Sequence, residues 1–261
     1  MTTVRLAGVD VPRIGLGTNR LTTARERVTF VREAVAAGVR HIDTAHLYTD
    51  GESERAIGEA LSGDRDDVLV ATKGGYRAGE GRPEVLGDQI EQSLRSLRTE
   101  AIGLYYLHRV DPETPLEESL GAIKDYVDRG AIRYVGVSEV SVAQIDQARQ
   151  IVPIAAVQNR YSLGDRAHDD VVDFCERERI AFVPYYPLRG DGGPGVRAAA
   201  ERLGVTENAI KLAWLLRRSP AIVPIPGTLS IEHLRENLAA LELEPGDVDD
   251  MSFPALETHQ A

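Results

Sequence analysis

Asp43, Tyr48, Lys73 and His108 fall at or just beyond the ends of three successive strand-like runs, RHIDTAHLY, DVLVATK and IGLYYLH. Each run is a short apolar stretch that stops at a side chain able to move or orient a proton. In a barrel of parallel strands the C-terminal strand ends converge on one rim, so distant points of the chain can share a site there. The chemistry that such a quartet suits is delivery of a proton to a carbonyl oxygen as hydride reaches its carbon.

Lysine is scarce, with Lys73, Lys124 and Lys211 standing among 30 basic residues. Lys124 and Lys211 read as helical, whereas Lys73 ends an apolar strand and points its ammonium into a crowded rim. A buried ammonium needs a carboxylate partner, and Asp43, ending the preceding strand, is the candidate. Alone, that pair would be structural. Tyr48 follows Asp43 by five residues, far enough for the loop to fold back over the rim. A phenol ionises near ~10 and is a poor acid at neutral pH, but an adjacent ammonium favours its phenolate. The same lysine could instead serve as a Schiff-base nucleophile. His108 would aim its ring at the same point and hold a carbonyl by a hydrogen bond. His41, Asp43 and His46 invite a metal reading, but RYVGVS and AAVQN add no histidine, so none is expected.

The elements that must position these residues alternate. Strand-like runs near 13–17, 40–43, 68–73, 102–107, 133–138, 154–158, 180–185 and 221–225 are separated by helical periodicity, such as Leu86, Ile90, Leu94 and Leu97, or Leu116, Leu120, Ile123 and Val127. Thr114 and Glu117 predict a capping box around Pro115, and Gly130 a helix end. The connection over 195–217 reads as two helices broken at Gly204, and 230–241 as the last helix. Strand then helix, eight times over, predicts a (β/α)8 TIM barrel, preceded by an N-terminal hairpin (1–12) turning at Ala7 and Gly8. An open doubly wound sheet would need a third glycine after Gly15-Leu16-Gly17-Thr18. The chain is expected to be one domain over 1–261, with a short tail over 245–261.

Composition narrows the class. A chain of 261 residues that is 43% apolar can bury a full core, and its net charge of −11, without a basic stripe, argues against a nucleic-acid surface. The lone Cys175 excludes a disulfide framework. No apolar run approaches the roughly 20 residues that span a bilayer, and the N-terminus has no signal-type apolar region. A cytoplasmic monomer acting on a small molecule is expected.

The motifs IDTAHLY with GESERAIGEAL, ATKGG, LYYLHRVD, IRYVGVSE, VQNRYSL, PYYPLRG and IPGTLSIEHLRENLAAL, in this order, resemble those of the aldo-keto reductases. These are (β/α)8 barrels that reduce carbonyls with a nicotinamide cofactor, and the resemblance runs to about residue 241. It implies Asp43, Tyr48, Lys73 and His108 as the catalytic tetrad, with Tyr48 the general acid. It implies that Gly17, Thr18 and Asn19 meet the cofactor, with Asp43 beside them. Ser138 and Gln158 would hold the nicotinamide carboxamide, and Tyr185 would stack on its ring. Pro187, Leu188, Arg189 and Gly190 match the pyrophosphate loop. Ile225, Pro226, Gly227, Thr228, His233, Glu236 and Asn237 match the adenosine end, Thr228 and His233 near the 2′-phosphate. Glu139 stands where asparagine is usual, and a carboxylate only accepts hydrogen bonds. Gly227, Leu229 and His233 replace residues that are often basic, so NADPH is the expected cofactor with NADH left open. Asn19, Tyr48, Tyr76 and His108 are expected to wall the substrate pocket. The resemblance points to a reductase of aldehydes and ketones; the alternative is a cofactor-binding redox sensor or regulatory subunit without significant turnover.

Overall fold

The computed structural model describes residues 2–62, 67–244 and 246. Strands β1 (Thr3–Leu6) and β2 (Val9–Pro12) form an antiparallel hairpin whose turn places Ala7 and Gly8 at positive φ. Then follow β3 (Leu16–Gly17), α1 (Arg25–Ala36), β4 (His41–Asp43), α2 (Glu52–Ala60), β5 (Leu69–Gly74), α3 (Pro83–Leu97), β6 (Ile102–Leu107) and α4 (Leu116–Asp128). The second half holds β7 (Ile132–Ser138), α5 (Val142–Arg149), β8 (Ile154–Gln158), α6 (Asp169–Glu178), β9 (Ala181–Phe182), α7 (Gly193–Leu203), α8 (Glu207–Arg218) and α9 (Ile231–Leu238). Strands β3 to β9 pair in chain order, every pair parallel.

The eighth position of this (β/α)8 barrel is not a regular strand, although the sequence predicts one. Residues 222–227 reach both neighbours only through single bridges, Phe182 with Ile222 and Gly17 with Gly227. The cause is VPIPG: Pro224 and Pro226 have no N–H to give a ladder. Their carbonyls still accept, from Gly15 N–H at 2.9 Å and Gly17 N–H at 3.2 Å, and so the barrel closes.

Alternation along each strand divides the core in two. Leu69, Ala71, Leu104, Tyr106, Ala156 and Val223 pack inside the barrel, where Leu6 and Val11 of the hairpin join them. Val70, Tyr105, Leu107, Val135, Val137 and Val157 pack outward against the helices. Lys73 continues the inward face of Leu69 and Ala71, and Asp43 that of His41. Gly136 takes an inward place because a Cβ there would lie 2.4 Å from the ring of Tyr106. Cys175 is buried on α6, and burial pushes its thiol up to about 12, leaving it inert. Among the described residues no helix is long and apolar enough to cross a membrane.

Two helix expectations fare differently. Gly204, at φ 67, does separate α7 from α8. The Thr114 capping box does not form. Pro115 itself precedes α4, and the Thr114 hydroxyl donates instead to Asp111 at 2.8 Å. Asp111 also accepts from the N–H groups of Gly79, Gly81 and Glu113 at 3.0, 2.9 and 3.0 Å, tying the loop after β5 to the loop after β6. Burial alone would raise this carboxyl, but the four donors outweigh it and bring it down to about 2. Asp111→Ala is expected to cost about 3 kcal/mol in urea denaturation. In the wild type the contribution is complete above the ordinary aspartate value of 3.8 and is lost as pH falls toward 2.

Candidate active site

Past the end of β4 the backbone keeps its ladder, Thr44 N–H donating to Ala71 O at 2.8 Å and His46 N–H to Lys73 O at 2.9 Å. At Tyr48 the chain enters a single 3-10 turn (Tyr48–Gly51) in which Thr49, Asp50 and Gly51 all take positive φ. That left-handed reversal turns Tyr48 back over the rim. Ser53, on the first turn of α2, anchors the segment: its hydroxyl lies 2.9 Å from that of Thr18 and 2.7 Å from that of Thr44.

Beneath Tyr48 lies a fully buried ion pair. Lys73 Nζ donates to Asp43 Oδ1 at 2.6 Å and to Thr44 O at 2.7 Å, with no part of the lysine exposed. The second Asp43 oxygen accepts from Gln158 Nε2 at 2.8 Å. Thr18 holds the Asp43 carbonyl with both its hydroxyl (2.8 Å) and its N–H (3.0 Å). Lys73 Nζ stands 5.2 Å from the centre of the Tyr48 ring. Burial lowers the lysine's pKa, but Asp43 and Tyr48 more than reverse this, so it stays an ammonium.

Tyr48 departs from expectation. Lys73 does pull its pKa down through charge and hydrogen bonding, but burial pushes the other way and wins, leaving the phenol above its ordinary value. It is therefore held as a protonated donor, with a cation positioned to stabilise the phenolate once the proton has left. The ring of His108 meets Tyr48 edge-on at 6.2 Å and stacks obliquely on Tyr76 at 4.8 Å. Burial, then Lys73 and Arg109, take His108 down to about 2, so the imidazole is neutral. Its Nδ1 is buried without a hydrogen-bond partner among the described residues.

These groups open onto a cavity of about 730 Å3. Of the residues expected to form the site, Gly17, Thr18, Asn19, Asp43, Tyr48, Tyr76, His108, Ser138, Gln158 and Tyr185 line it, as do Pro187, Leu188, Arg189, Ile225, Pro226 and Gly227. Gly17 has no room for a side chain, since a Cβ would lie 2.7 Å from Ile225 O. Lys73 sits behind the wall and borders a smaller cavity of about 240 Å3 with His46, Arg77 and Glu80. His41 lies buried on the inward face, brought down to about 4 chiefly by burial. His46 is thus parted from His41 and Asp43, and among the described residues no three histidine, cysteine or acidic side chains gather as metal ligands.

Six expected cofactor residues do not line the large cavity. Glu139 takes φ 54 and turns its carboxylate to the Arg160 N–H (2.7 Å) and to Arg109 (3.7 Å). Gly190, at φ 92, accepts from Lys211 Nζ at 2.7 Å. Thr228 is occupied with Ser230 N–H at 3.1 Å, and the His233 N–H is capped by Ser230 Oγ at 3.2 Å. Glu236 is exposed and Asn237 buried on α9. Conversely, Arg20, Leu47, Arg109 and Tyr186 line the cavity without having been singled out. Leu47 and Arg109 adjoin Tyr48 and His108 in sequence, which was the available signal.

The arrangement can donate a proton from Tyr48 into a cavity where a neutral imidazole offers a second hydrogen bond. Known proteins share the sequence and the fold that carry it. The model of the Aldo/keto reductase family matches residues 13–193. Pyridoxine 4-dehydrogenase of Escherichia coli is 35% identical over 92% of this chain and 93% of its own length. An uncharacterized oxidoreductase of Schizosaccharomyces pombe is 34% identical over 93% and 85%. Among solved structures, a thermostable aldo-keto reductase bound to the inhibitor epalrestat superposes with a TM-score of 0.87 at 32% identity, covering 95% of this chain and 97% of that one. An aldo-keto reductase from Klebsiella pneumoniae in complex with NADP and acetate gives 0.83 at 32% identity, covering 93% and 90%.

Proposed function

Since this chain belongs to the aldo/keto reductase family, we propose that it reduces aldehydes and ketones to alcohols with NADPH, using Tyr48 as general acid. The observation that carries this reading is the buried Lys73–Asp43 pair under Tyr48 at the floor of a roomy cavity. The cavity suits a dinucleotide. Gly17 lines it, Ser138 and Gln158 present polar groups, and Tyr185 offers an aromatic face. Ser138 and Gln158 would hold the nicotinamide carboxamide, Tyr185 the ring, and Pro187 to Gly190 the pyrophosphate. Thr228, His233 and backbone N–H groups would meet the 2′-phosphate, with Glu236 and Asn237 near adenine. When bound, the cofactor supplies the hydride.

The protein's own residues do the rest. Tyr48 gives its hydroxyl proton to the carbonyl oxygen, and Lys73, held by Asp43, stabilises the phenolate left behind. His108 orients the carbonyl as a neutral donor, and Gln158 keeps the Asp43 carboxylate in place. Asn19 and Tyr76 would wall the substrate. In this reading the chain acts as a single-domain monomer, which light scattering on the purified protein would check.

Mixing the protein with NADPH and a reactive aromatic aldehyde should consume the nicotinamide absorbance with formation of the alcohol; a protein that binds NADPH and leaves the aldehyde intact would remove the reading. The neutral state of His108 adds a second expectation. Reduction measured as kcat/KM for the aldehyde at saturating NADPH should show no ionisation of His108 between about pH 5 and 8, because that ring ionises only near about 2.

A further inference from the structure

Arg109 leaves the end of β6 directly after His108 and lines the same cavity. Its N–H donates to Gly75 O at 3.1 Å, extending the β5–β6 ladder past the strands and fixing where the side chain departs. The guanidinium lies between the rings of Tyr76 and Tyr185, 5.6 and 6.0 Å from their centres, with the side chain 31% exposed. A guanidinium carries five donors in a planar fork, and these are nearly unspent. Nη2 makes one long contact, 3.5 Å to the Tyr185 hydroxyl, and Nη1 is buried with no hydrogen-bond partner among the described residues. Glu139 stands 3.7 Å from Nη1, too far for a hydrogen bond, and its other oxygen is committed to the Arg160 N–H. Glu139 offsets part of the charge at that distance, but the donors stay idle, and a buried donor without an acceptor carries a desolvation cost that a ligand can relieve.

The charge around it points the same way. The protein carries −11 overall, yet this cavity is lined by Arg20, Arg109 and Arg189. Among the described lining residues the one carboxylate is Asp43, already paired with Lys73. Arg20 and Arg189 are exposed, whereas Arg109 stands beside His108, at the reacting end.

We infer that Arg109 is a specificity-determining residue that selects carbonyl substrates bearing a carboxylate, gripping it with its fork between Tyr76 and Tyr185, a few bonds from the carbonyl. Planar bidentate pairing is the geometry in which arginine and carboxylate interact most strongly. The inference rests on the reductase reading and deepens it by naming the substrate class.

The test compares 4-carboxybenzaldehyde with its neutral methyl ester, two aldehydes that differ in one charge. The wild type should favour the carboxylate by roughly 10- to 100-fold in kcat/KM, the range of a charge-assisted hydrogen bond. In Arg109→Met that ratio should collapse toward unity, whatever change is common to both substrates; a purely structural role would lower both alike and leave the ratio intact. Equal kcat/KM for the two aldehydes in the wild type, or a preference that survives Arg109→Met, overturns the inference while leaving the reductase reading standing. A second measurement needs no turnover. The unreactive 4-methylbenzoate, which has neither a carbonyl to reduce nor a hydroxyl to oxidise, should bind the protein–NADP+ complex in calorimetry at least about tenfold more tightly than it binds the same complex of Arg109→Met. Equal affinities would overturn it independently.

Discussion

Tyr48→Phe should cut carbonyl reduction by about 10³-fold, within the 10²–10⁴ that a positioned general acid contributes, with NADPH affinity within about twofold of the wild type. The substitution removes one oxygen and leaves the ring against His108 and above Lys73. No other group is placed to replace it. His108 is neutral and, with its pKa near about 2, cannot act as a proton store. Lys73 is sealed behind the wall, with two hydrogen bonds already made. Stopped-flow single turnovers, with cofactor binding measured by calorimetry, separate the two effects. Turnover within tenfold of the wild type would remove Tyr48 from its role.

Lys73→Met should combine a catalytic loss with a structural one. Without the ammonium, Asp43 is left buried with Gln158 as its side-chain partner, and breaking one half of a buried pair costs about 3–5 kcal/mol. Turnover should fall as well, because the phenolate would form without its cation. The double variant Asp43→Asn, Lys73→Met should recover much of the lost stability in urea denaturation and none of the activity. That divergence marks a pair kept for chemistry rather than for folding. A Lys73→Met protein as stable as the wild type would show that the buried pair contributes nothing to folding.

Much of this site was legible in the sequence because period-two alternation decides which way a strand residue points. Leu69, Ala71 and Lys73 share one face, so an ammonium at the end of VLVATK had to enter the barrel. The hairpin turn at Ala7 and Gly8 and the break at Gly204 were equally visible, since each needs a positive φ. What stayed hidden depends on distant partners. Two prolines in VPIPG made an apolar run a chain of bridges rather than a strand. Thr114 preferred the Asp111 carboxylate over capping α4. The reversal at Thr49, Asp50 and Gly51 places Tyr48; Asp50-Gly51 marks a turn, but the β-branched Thr49 gives no sign of a left-handed start. The direction of the Tyr48 shift was the subtlest miss, because charge can be read from neighbours in a motif but the depth of burial cannot. Glu139 illustrates the same limit, as its partners Arg109 and Arg160 come from two other strand ends.

Alcohol oxidation followed against pH, in the wild type and in Lys73→Met, tests the central claim most directly, because Tyr48 must then act as a base and the rate reports its phenolate. Burial raises this phenol and Lys73 lowers it, so losing the ammonium should move the rise in kcat/KM to higher pH. Superimposable profiles for the two proteins would mean that the cation does not govern the phenol, and the account would fail.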